Sequence, residues 1–309
     1  MTKKNIAIAV YILLTVCAFL GFVNSAEALI GGFLTTLFLG NHFEKLKSKL
    51  IHWLLEISVV GLGFGMFIKQ TLQTGKEGFG LTVFTIFSTI ILGFLLTKLF
   101  KLDKKLGVMV SSGTSICGGS AIAAVSSVIK AKPKPISIAL GVVFFLNAIA
   151  LFVFPPIGHL FHLSQKQFGL WAAVAIHDTS SVVGASMEYG QEALQVATTV
   201  KLARALWIIP VSILSMVFFK SKGGKIKIPW FILLFILAIL INSYFKLPET
   251  LTHSITSISK SLLVVTLLLI GSSLSIKDIK ETGLKPFLLG IFLWIFVSVT
   301  SLYLILEVI

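Results

Sequence analysis

Apolar runs long enough to cross a lipid bilayer recur along the whole 309-residue chain, and they constrain its fold more than any other feature. A helix of about 20 apolar residues crosses about 30 Å of hydrocarbon. Only 12% of the residues are charged, whereas soluble domains average about 25%. Lipid must therefore cover most of the apolar surface, and the chain is predicted to be one integral membrane domain over residues 1–309. The apolar runs are 6–23, 26–40, 50–68, 80–100, 106–130, 136–154, 167–190, 194–219, 229–246, 255–275 and 286–306.

The predicted fold class is an all-α polytopic membrane protein with about 9–11 transmembrane segments. Its formal net charge of +14 comes from lysines that stand in short clusters between the apolar runs. Such clusters are typical of cytoplasmic loops, so the charge indicates a lipid bilayer and not a nucleic acid as the partner. The same rule predicts a cytoplasmic N-terminus. If the segments 106–130 and 167–190 are re-entrant hairpins, the lysines assigned to the cytoplasmic side are Lys3, Lys4, Lys45, Lys47, Lys49, Lys98, Lys101, Lys104, Lys105, Lys130, Lys132, Lys134, Lys220, Lys222, Lys225, Lys227, Lys277, Lys280 and Lys285. If both segments cross the membrane, Lys130, Lys132 and Lys134 move to the outer side and Lys166 to the cytoplasmic side.

Two segments, 106–130 and 167–190, are weakly hydrophobic and rich in Gly, Ser and Thr, and we predict that both are discontinuous. They are either re-entrant hairpins or broken crossing helices. Glycine costs about 1 kcal/mol against alanine within a helix, and irregular backbone at membrane depth is tolerated only when it is buried in protein or lines a cavity. The alternative is close helix packing through small residues.

The first discontinuous segment offers a candidate anion site, because an unwound stretch exposes backbone N–H groups at the start of the following half-helix. Hydroxyl groups within the same stretch add hydrogen-bond donors. The candidate substrate-binding residues here are Gly113, Thr114, Ser115, Cys117, Gly118, Gly119 and Ser120.

The second discontinuous segment carries His177 and Asp178 near its middle, where ionisable groups are costly and indicate a functional site. Asp178, with His177, is predicted to bind the coupling ion, a proton or a sodium ion. The alternative is an interfacial pair on a shallow loop. The hydroxyl groups of Thr179, Ser180 and Ser181 are further candidate substrate contacts.

Three polar residues in the neighbouring apolar helices complete the candidate site. Lys201 and Arg204 stand three residues apart and therefore share a helix face. They either attract an anionic substrate or neutralise a carboxylate such as Asp178 or Glu56. Asn147 either lines the site or makes an interhelical hydrogen bond. No residue spacing indicates a metal site or an organic cofactor.

An offset of 208 residues aligns the region 50–100 with the region 258–306 without a gap. Gly63 matches Gly271, and the pairs Ile68-Lys69 and Thr74-Gly75 match Ile276-Lys277 and Thr282-Gly283. In the predicted topology the two copies run in opposite directions across the membrane. The chain is therefore predicted to contain an inverted repeat, a feature of secondary transporters.

The run from Gly113 to Ala124, GTSICGGSAIAA, resembles the signature of the YeiH family of bacterial membrane proteins, which is labelled a sulfate exporter family. The stretches Ile176–Asp178 and Val200–Arg204 are also similar to that family. The resemblance covers most of the chain. It implies a transporter of the bacterial inner membrane, distantly akin to the sodium–proton antiporters and bile-acid symporters.

These features together predict a secondary transporter that moves a small anion, such as a sulfur oxyanion or a sulfonate, by alternating access coupled to protons or sodium. An organic-acid carrier of the same architecture is the alternative substrate class. The alternative from a different class is a membrane thiol enzyme in which Cys117 is the nucleophile, with His177 and Asp178 beside it. The sequence predicts a non-enzyme and leaves a homodimer open.

Overall fold

The computed structural model of the protein describes residues 3–40, 44–220, 230–245, 247–273 and 283–308. All regular elements within these ranges are helices, which confirms the all-α fold class. In chain order they are α1 (Lys3–Phe19), α2 (Ser25–Leu39), α3 (Glu44–Gly63), α4 (Ile68–Leu99), α5 (Lys104–Ser115), α6 (Gly119–Val128), α7 (Pro133–Leu160), α8 (Gln165–Ala175), α9 (Thr179–Tyr189), α10 (Gln191–Ala205), α11 (Ile208–Phe218), α12 (Trp230–Phe245), α13 (Glu249–Gly271) and α14 (Leu284–Val308).

Five helical stretches of the described chain are long and apolar enough to cross a bilayer. This finding confirms a multi-pass membrane protein. The five stretches are Ile68–Leu99, Pro133–Leu160, Gln191–Phe218, Glu249–Gly271 and Leu284–Glu307.

Two helix boundaries differ from the sequence prediction for identifiable reasons. Helix α4 begins at Ile68 and not near residue 80, because its first turns are polar and carry no strong hydropathy signal. The predicted segment 194–219 is divided into α10 and α11 by a turn at Leu206 and Trp207. Pro210 lacks the backbone N–H that would donate to the Leu206 carbonyl group, so the regular helical hydrogen bond is missing at this turn.

The chain divides into two compact units, of which unit 1 comprises Met1–Gln73, Val183–Glu188 and Pro229–Ser275. Its described helices are α1, α2, α3, α12 and α13, and α13 packs against α1, α2 and α3. Gly32 of α2 lies against the Leu268 carbonyl oxygen, and Gly271 of α13 lies against the Leu29 carbonyl oxygen. Any side chain at either glycine would strike backbone, so these two positions allow the close approach of α2 and α13.

Lys47 of α3 is buried within unit 1. The sequence pattern instead predicts that it lies in an exposed cluster of loop lysines. Its Nζ atom donates to the Tyr11 hydroxyl group at 2.9 Å and approaches the Ser272 carbonyl oxygen at 3.5 Å. The cation therefore lies at the carbonyl end of α13, where the helix dipole favours positive charge. Other lysines of the predicted clusters lie outside the described residues, namely Lys222, Lys225, Lys227, Lys277 and Lys280.

Unit 2 comprises Thr74–Val182, Tyr189–Ile228 and Ile276–Ile309. Helix α8 packs against α10 and α14, while α5 and α6 pack against α7. Two tryptophans join α8 to α14 reciprocally, because Trp171 donates its indole N–H to the Ser298 carbonyl oxygen at 2.9 Å and Trp294 donates to the Ala175 carbonyl oxygen at 3.1 Å. These bonds fix α14 beside the second discontinuous segment.

Both discontinuous segments fold back on themselves as hairpins, whose tips belong to unit 2, while Val183–Glu188 of α9 are counted with unit 1. In the first, α5–α6, the Lys105 side chain near the start of α5 donates to the Lys130 carbonyl oxygen beyond the end of α6, at 3.0 Å. In the second, α8–α9, the Tyr189 hydroxyl group at the end of α9 donates to the Leu163 carbonyl oxygen just before α8, at 2.7 Å. Each pair of half-helices thus begins and ends at the same level and presents a tip at the opposite end.

The helix ends in the proposed repeat fall at matched positions, since α3 ends at Gly63 and α13 ends at Gly271. Ile276, Lys277 and Thr282, which carry part of the sequence match, lie outside the described residues. The inverted orientation of the regions 50–100 and 258–306 stays a prediction.

Candidate functional site

The tips of the two hairpins meet inside unit 2. Gly118 lies at the first tip, and a Cβ atom built on it would lie 3.4 Å from both the carbonyl carbon and the carbonyl oxygen of His177. The Cα atom of Asp178 is 3.5 Å from the same point. Four half-helix ends are therefore brought together: the C-terminal ends of α5 and α8, and the N-terminal ends of α6 and α9.

The first tip owes its shape to Gly118, whose φ of +63° and ψ of −126° are accessible to glycine but not to ordinary L residues. The Gly118 N–H donates to the Gly113 carbonyl oxygen at 2.9 Å, which closes the end of α5. Gly118 is also the N-cap of α6, and no side-chain hydrogen bond caps this helix. Cys117 is buried in the tip, whereas Gly119 is half-buried and the Ser120 side chain is exposed.

The second tip is capped by Asp178. Its Oδ2 atom accepts hydrogen bonds from the backbone N–H of Ser180 at 3.2 Å and from the Ser180 hydroxyl group. A carboxylate at this position satisfies a free N–H group at the start of α9 and lies at the positive end of the helix dipole. Thr179 and Ser181 are buried in the first turn of the same helix.

Asn147, in the middle of α7, holds the second tip in place. Its Oδ1 atom accepts from the backbone N–H of Asp178 at 3.0 Å, and its Nδ2 atom donates to the Ser181 hydroxyl group at 2.6 Å. Asn147 is buried, so both bonds form away from water. Of the two roles that the sequence leaves open for this residue, the interhelical hydrogen bond is the one observed.

Lys201 and Arg204 of α10 each lie at the carbonyl end of a different half-helix. The Lys201 Nζ atom donates to the carbonyl oxygens of Ile176 at 2.6 Å and Ala173 at 3.3 Å, at the end of α8. The Arg204 guanidinium group donates to the Ser115 carbonyl oxygen at the end of α5, and also to the Thr85 hydroxyl group at 2.9 Å. Both side chains are fully buried, and each cation compensates the negative end of a helix dipole.

Three of the four half-helix ends at the tips are thus compensated by a side chain of opposite charge. Arg204 compensates the end of α5, Lys201 the end of α8, and Asp178 the start of α9. Among the described residues, the start of α6 has no such side chain. Neither cation forms an ion pair with a carboxylate within the described ranges, so the sequence-based alternative of neutralising Asp178 or Glu56 is not what is observed there.

Several buried polar atoms in the two hairpins have no hydrogen-bond partner in the part of the chain that the structure describes. They are the Oγ1 atom of Thr114, both imidazole nitrogens of His177 and the Oγ atom of Ser186. A buried polar atom without a partner costs about 1–3 kcal/mol. The ring of His177 is tilted against that of Trp294, with centroids 6.3 Å apart.

The geometry brings together most of the residues that the sequence singled out, and Ser120 is the exposed exception. A thiol enzyme needs a base hydrogen-bonded to its nucleophilic thiol. In the described residues, neither ring nitrogen of His177 is hydrogen-bonded to the Cys117 sulfur. Thr85 was missed by sequence reasoning, since a threonine in an apolar helix gives no signal by itself.

The fold and the tips define the class of the protein: an all-helical, multi-pass membrane protein with two helical hairpins whose tips meet. The family model described as Conserved hypothetical protein 698 matches residues 6–290, and the chain belongs to that family. This match confirms the YeiH-family resemblance seen in the Gly113–Ala124 motif.

Relatives from several bacteria match almost the full length of the chain. A UPF0324 membrane protein of Bacteroides thetaiotaomicron is 46% identical and covers 97% of this chain and 94% of its own. Similar proteins of Photobacterium profundum and Bdellovibrio bacteriovorus are 49% and 46% identical, covering 97% and 98% of this chain and 92% and 95% of theirs. No solved structure matches the chain significantly.

Proposed function

We propose that the protein is a secondary active transporter of a small anion, which binds where the two hairpin tips meet. The observation that carries the proposal is the imbalance among the four half-helix ends. Within the part of the chain that the structure describes, the start of α6 alone has no compensating side chain. Helix N-termini present free N–H groups and partial positive charge, so this end favours an anion.

The formal charges around the tips favour the same ligand class. Two buried cations, Lys201 and Arg204, accompany one carboxylate, Asp178. Because both cations already donate to carbonyl groups, they act on a bound anion through their charge and not as direct ligands. The free N–H groups of α6 and the hydroxyl group of Thr114 would be the direct donors. A compact anion whose oxygens are strong hydrogen-bond acceptors, such as a sulfur oxyanion or a sulfonate, suits these donors.

Coupling to a cation gradient is assigned to Asp178, with His177 beside it. A carboxylate at the tip that faces the anion site changes the local charge when it binds a proton or a sodium ion. The charge change would alter the affinity of the α6 end for the anion, which is the differential binding that alternating access needs. Transport would take place across the bacterial inner membrane, with the N-terminus in the cytoplasm and without a chemical step.

The anion site is tested first with Thr114→Val in a thermal-unfolding screen of the detergent-purified protein against sulfate, sulfite, taurine, citrate and chloride. A ligand that binds only the folded state raises the unfolding temperature by mass action. Sulfate or sulfite is expected to stabilise the parent protein. Thr114→Val removes a buried, unpartnered hydroxyl group without changing the volume, so it should stabilise the ligand-free protein by roughly 1 kcal/mol and weaken the anion effect about tenfold.

The matched control is Thr266→Val in α13 of unit 1, whose buried hydroxyl group already donates to the Leu262 carbonyl oxygen at 2.7 Å. This variant should keep the full anion response. If citrate alone raises the unfolding temperature, the proposed substrate class changes from a sulfur anion to an organic acid. No response to any anion in the parent protein would contradict the anion site.

The coupling role is tested with Asp178→Asn, because asparagine caps a helix as well as aspartate does but carries no charge. The variant should therefore fold normally, while anion uptake into proteoliposomes loses its dependence on both the pH gradient and the sodium gradient. The control is Glu192→Gln, which removes a carboxylate from the first turn of α10. Lys201 and Arg204, the residues of α10 that reach the tips, lie toward the other end of that helix. Uptake by Asp178→Asn that still follows either gradient would rule Asp178 out as the coupling group.

A further inference from the structure

An apolar groove runs along the outside of unit 2, between α4, α5 and α11. It has a volume of about 420 Å³. Its walls are largely exposed aliphatic and aromatic side chains, and Phe94 of α4 meets Phe218 of α11 edge to face, with ring centroids 6.0 Å apart. Close contact of α4 with α5 forms the floor, because Gly93 faces Ser111 and Gly107 faces Thr97.

The groove continues into a basic pocket of about 430 Å³ at the α4–α5 turn. Phe94, Val108 and Phe218 line both spaces, so the two are parts of one feature. The basic pocket is lined by the exposed lysines Lys98, Lys101 and Lys104. None of the three forms an ion pair with a carboxylate in the described residues, and the nearby Asp103 is engaged as the N-cap of α5 through the Leu106 N–H at 2.9 Å.

Lys101 occupies a backbone position that favours glycine. Its φ is +55°, and the Leu102 N–H donates to the Thr97 carbonyl oxygen at 3.0 Å, which closes the end of α4 in the manner of a Schellman motif. A lysine in this left-handed conformation is strained relative to glycine. The favourable position of the Lys101 cation at a helix C-terminus offsets part of this backbone strain. An anion bound beside Lys98 and Lys104 would add a further favourable interaction with the Lys101 cation.

We propose that this feature binds an anionic phospholipid. The phosphate group lies among Lys98, Lys101 and Lys104, and one acyl chain lies in the apolar groove along Phe94, Val108 and Phe218. A phospholipid carries both chemistries in one molecule at the spacing of a membrane interface, where lysine clusters between transmembrane helices attract anionic headgroups. A free anion would leave the groove uncovered, and a zwitterionic lipid would not compensate three lysines.

The proposal is tested by native mass spectrometry of the purified full-length protein, titrated with phosphatidylglycerol, with phosphatidylcholine of the same acyl chains, and with glycerol phosphate. Phosphatidylglycerol is expected to bind at least tenfold more tightly than either of the others. Each lysine near an anionic headgroup contributes roughly fivefold, so the triple variant Lys98→Gln, Lys101→Gly, Lys104→Gln should lose about 100-fold in phosphatidylglycerol affinity.

A matched pair of single variants separates lipid binding from helix capping. Lys130, just beyond α6, has a φ of +49° and the same left-handed geometry as Lys101, but it does not line the groove. Lys101→Gly and Lys130→Gly should change thermal stability similarly, because both relieve backbone strain and remove one cation from a helix end. Only Lys101→Gly should weaken phosphatidylglycerol binding, by roughly fivefold.

The acyl-chain part is tested with Val108→Phe, which fills the groove where its apolar and basic parts join and leaves all three lysines in place. The variant should lose phosphatidylglycerol and keep its weak response to glycerol phosphate. Equal affinities for phosphatidylglycerol and phosphatidylcholine, equal losses in Lys101→Gly and Lys130→Gly, or unchanged binding to Val108→Phe would each overturn the proposal. All three readouts are independent of transport.

Discussion

Arg204→Met is expected to lower the free energy of unfolding by roughly 3–6 kcal/mol, because two hydrogen bonds from a charged group are lost at about 1.5–3 kcal/mol each. The guanidinium group is fully buried and bridges the Ser115 carbonyl oxygen and the Thr85 hydroxyl group. Methionine fills similar space but donates to neither, so the carbonyl end of α5 remains buried without its cation. The change is measured by chemical unfolding in detergent micelles.

Two further variants show which part of the guanidinium group matters. Arg204→Lys keeps the charge but lacks the planar guanidinium group that can donate to two acceptors at once. It should therefore be more stable than Arg204→Met but less stable than the parent protein. Thr85→Val removes one acceptor and leaves the bond to Ser115 intact, so it should cost about 1 kcal/mol. An Arg204→Met protein that unfolds at the parent denaturant concentration would show that the guanidinium group does not stabilise the end of α5.

Gly118→Ala is expected to reduce anion binding and uptake roughly 5- to 150-fold, which corresponds to about 1–3 kcal/mol of backbone strain at the tip. The φ and ψ values of Gly118 suit glycine only, and the added methyl group would lie 3.4 Å from the His177 carbonyl carbon and oxygen. Because 3.4 Å is an ordinary van der Waals contact, the strain comes from the positive φ, and the tip must change its conformation to relieve it. That change displaces the start of α6 from the bound anion.

The controls for Gly118→Ala separate strain from location. Gly21 has a φ of +80° and no atom within 4 Å of a built Cβ, so Gly21→Ala adds strain in unit 1 without touching the tips. Gly75→Ala adds the same methyl group within helix α4, in open space, and should be neutral or slightly stabilising. Anion affinity should stay unchanged in both. Full anion affinity in Gly118→Ala would mean that the shape of the tip is not needed for binding.

The sequence predicted the all-α membrane fold and the two interruptions because these features depend on local composition. Glycine and hydroxyl residues weaken a helix wherever they cluster, so the breaks near Gly118 and His177 are visible without tertiary information. The family resemblance rested on the same short run and was confirmed by the full-length match. The polar first turns of α4 were missed because hydropathy reports the lipid-facing part of a helix only.

The partners of the buried polar groups could not be predicted, because they are set by contacts between residues far apart in the chain. The charge of Arg204 predicts either attraction of an anionic substrate or neutralisation of a carboxylate, yet the side chain donates to Ser115 and Thr85, which are 89 and 119 residues away. Lys201 likewise meets carbonyl groups at the end of α8. A carbonyl group at a helix end has no sequence signature, so only the fold reveals that it needs a cation.

The reciprocal tryptophan bonds between α8 and α14 give the protein an intrinsic fluorescent reporter. Trp171 stacks on Phe154 with ring centroids 4.3 Å apart, and Trp294 lies 6.0 Å from Phe154 and 6.3 Å from the ring of His177. The chain has five tryptophans, and phenylalanine at Trp53, Trp207 and Trp230 would leave only these two indoles emitting. Because quenching of an indole by a neighbouring imidazole depends on the distance between the rings, movement of the second tip would register directly as emission intensity, without any attached label.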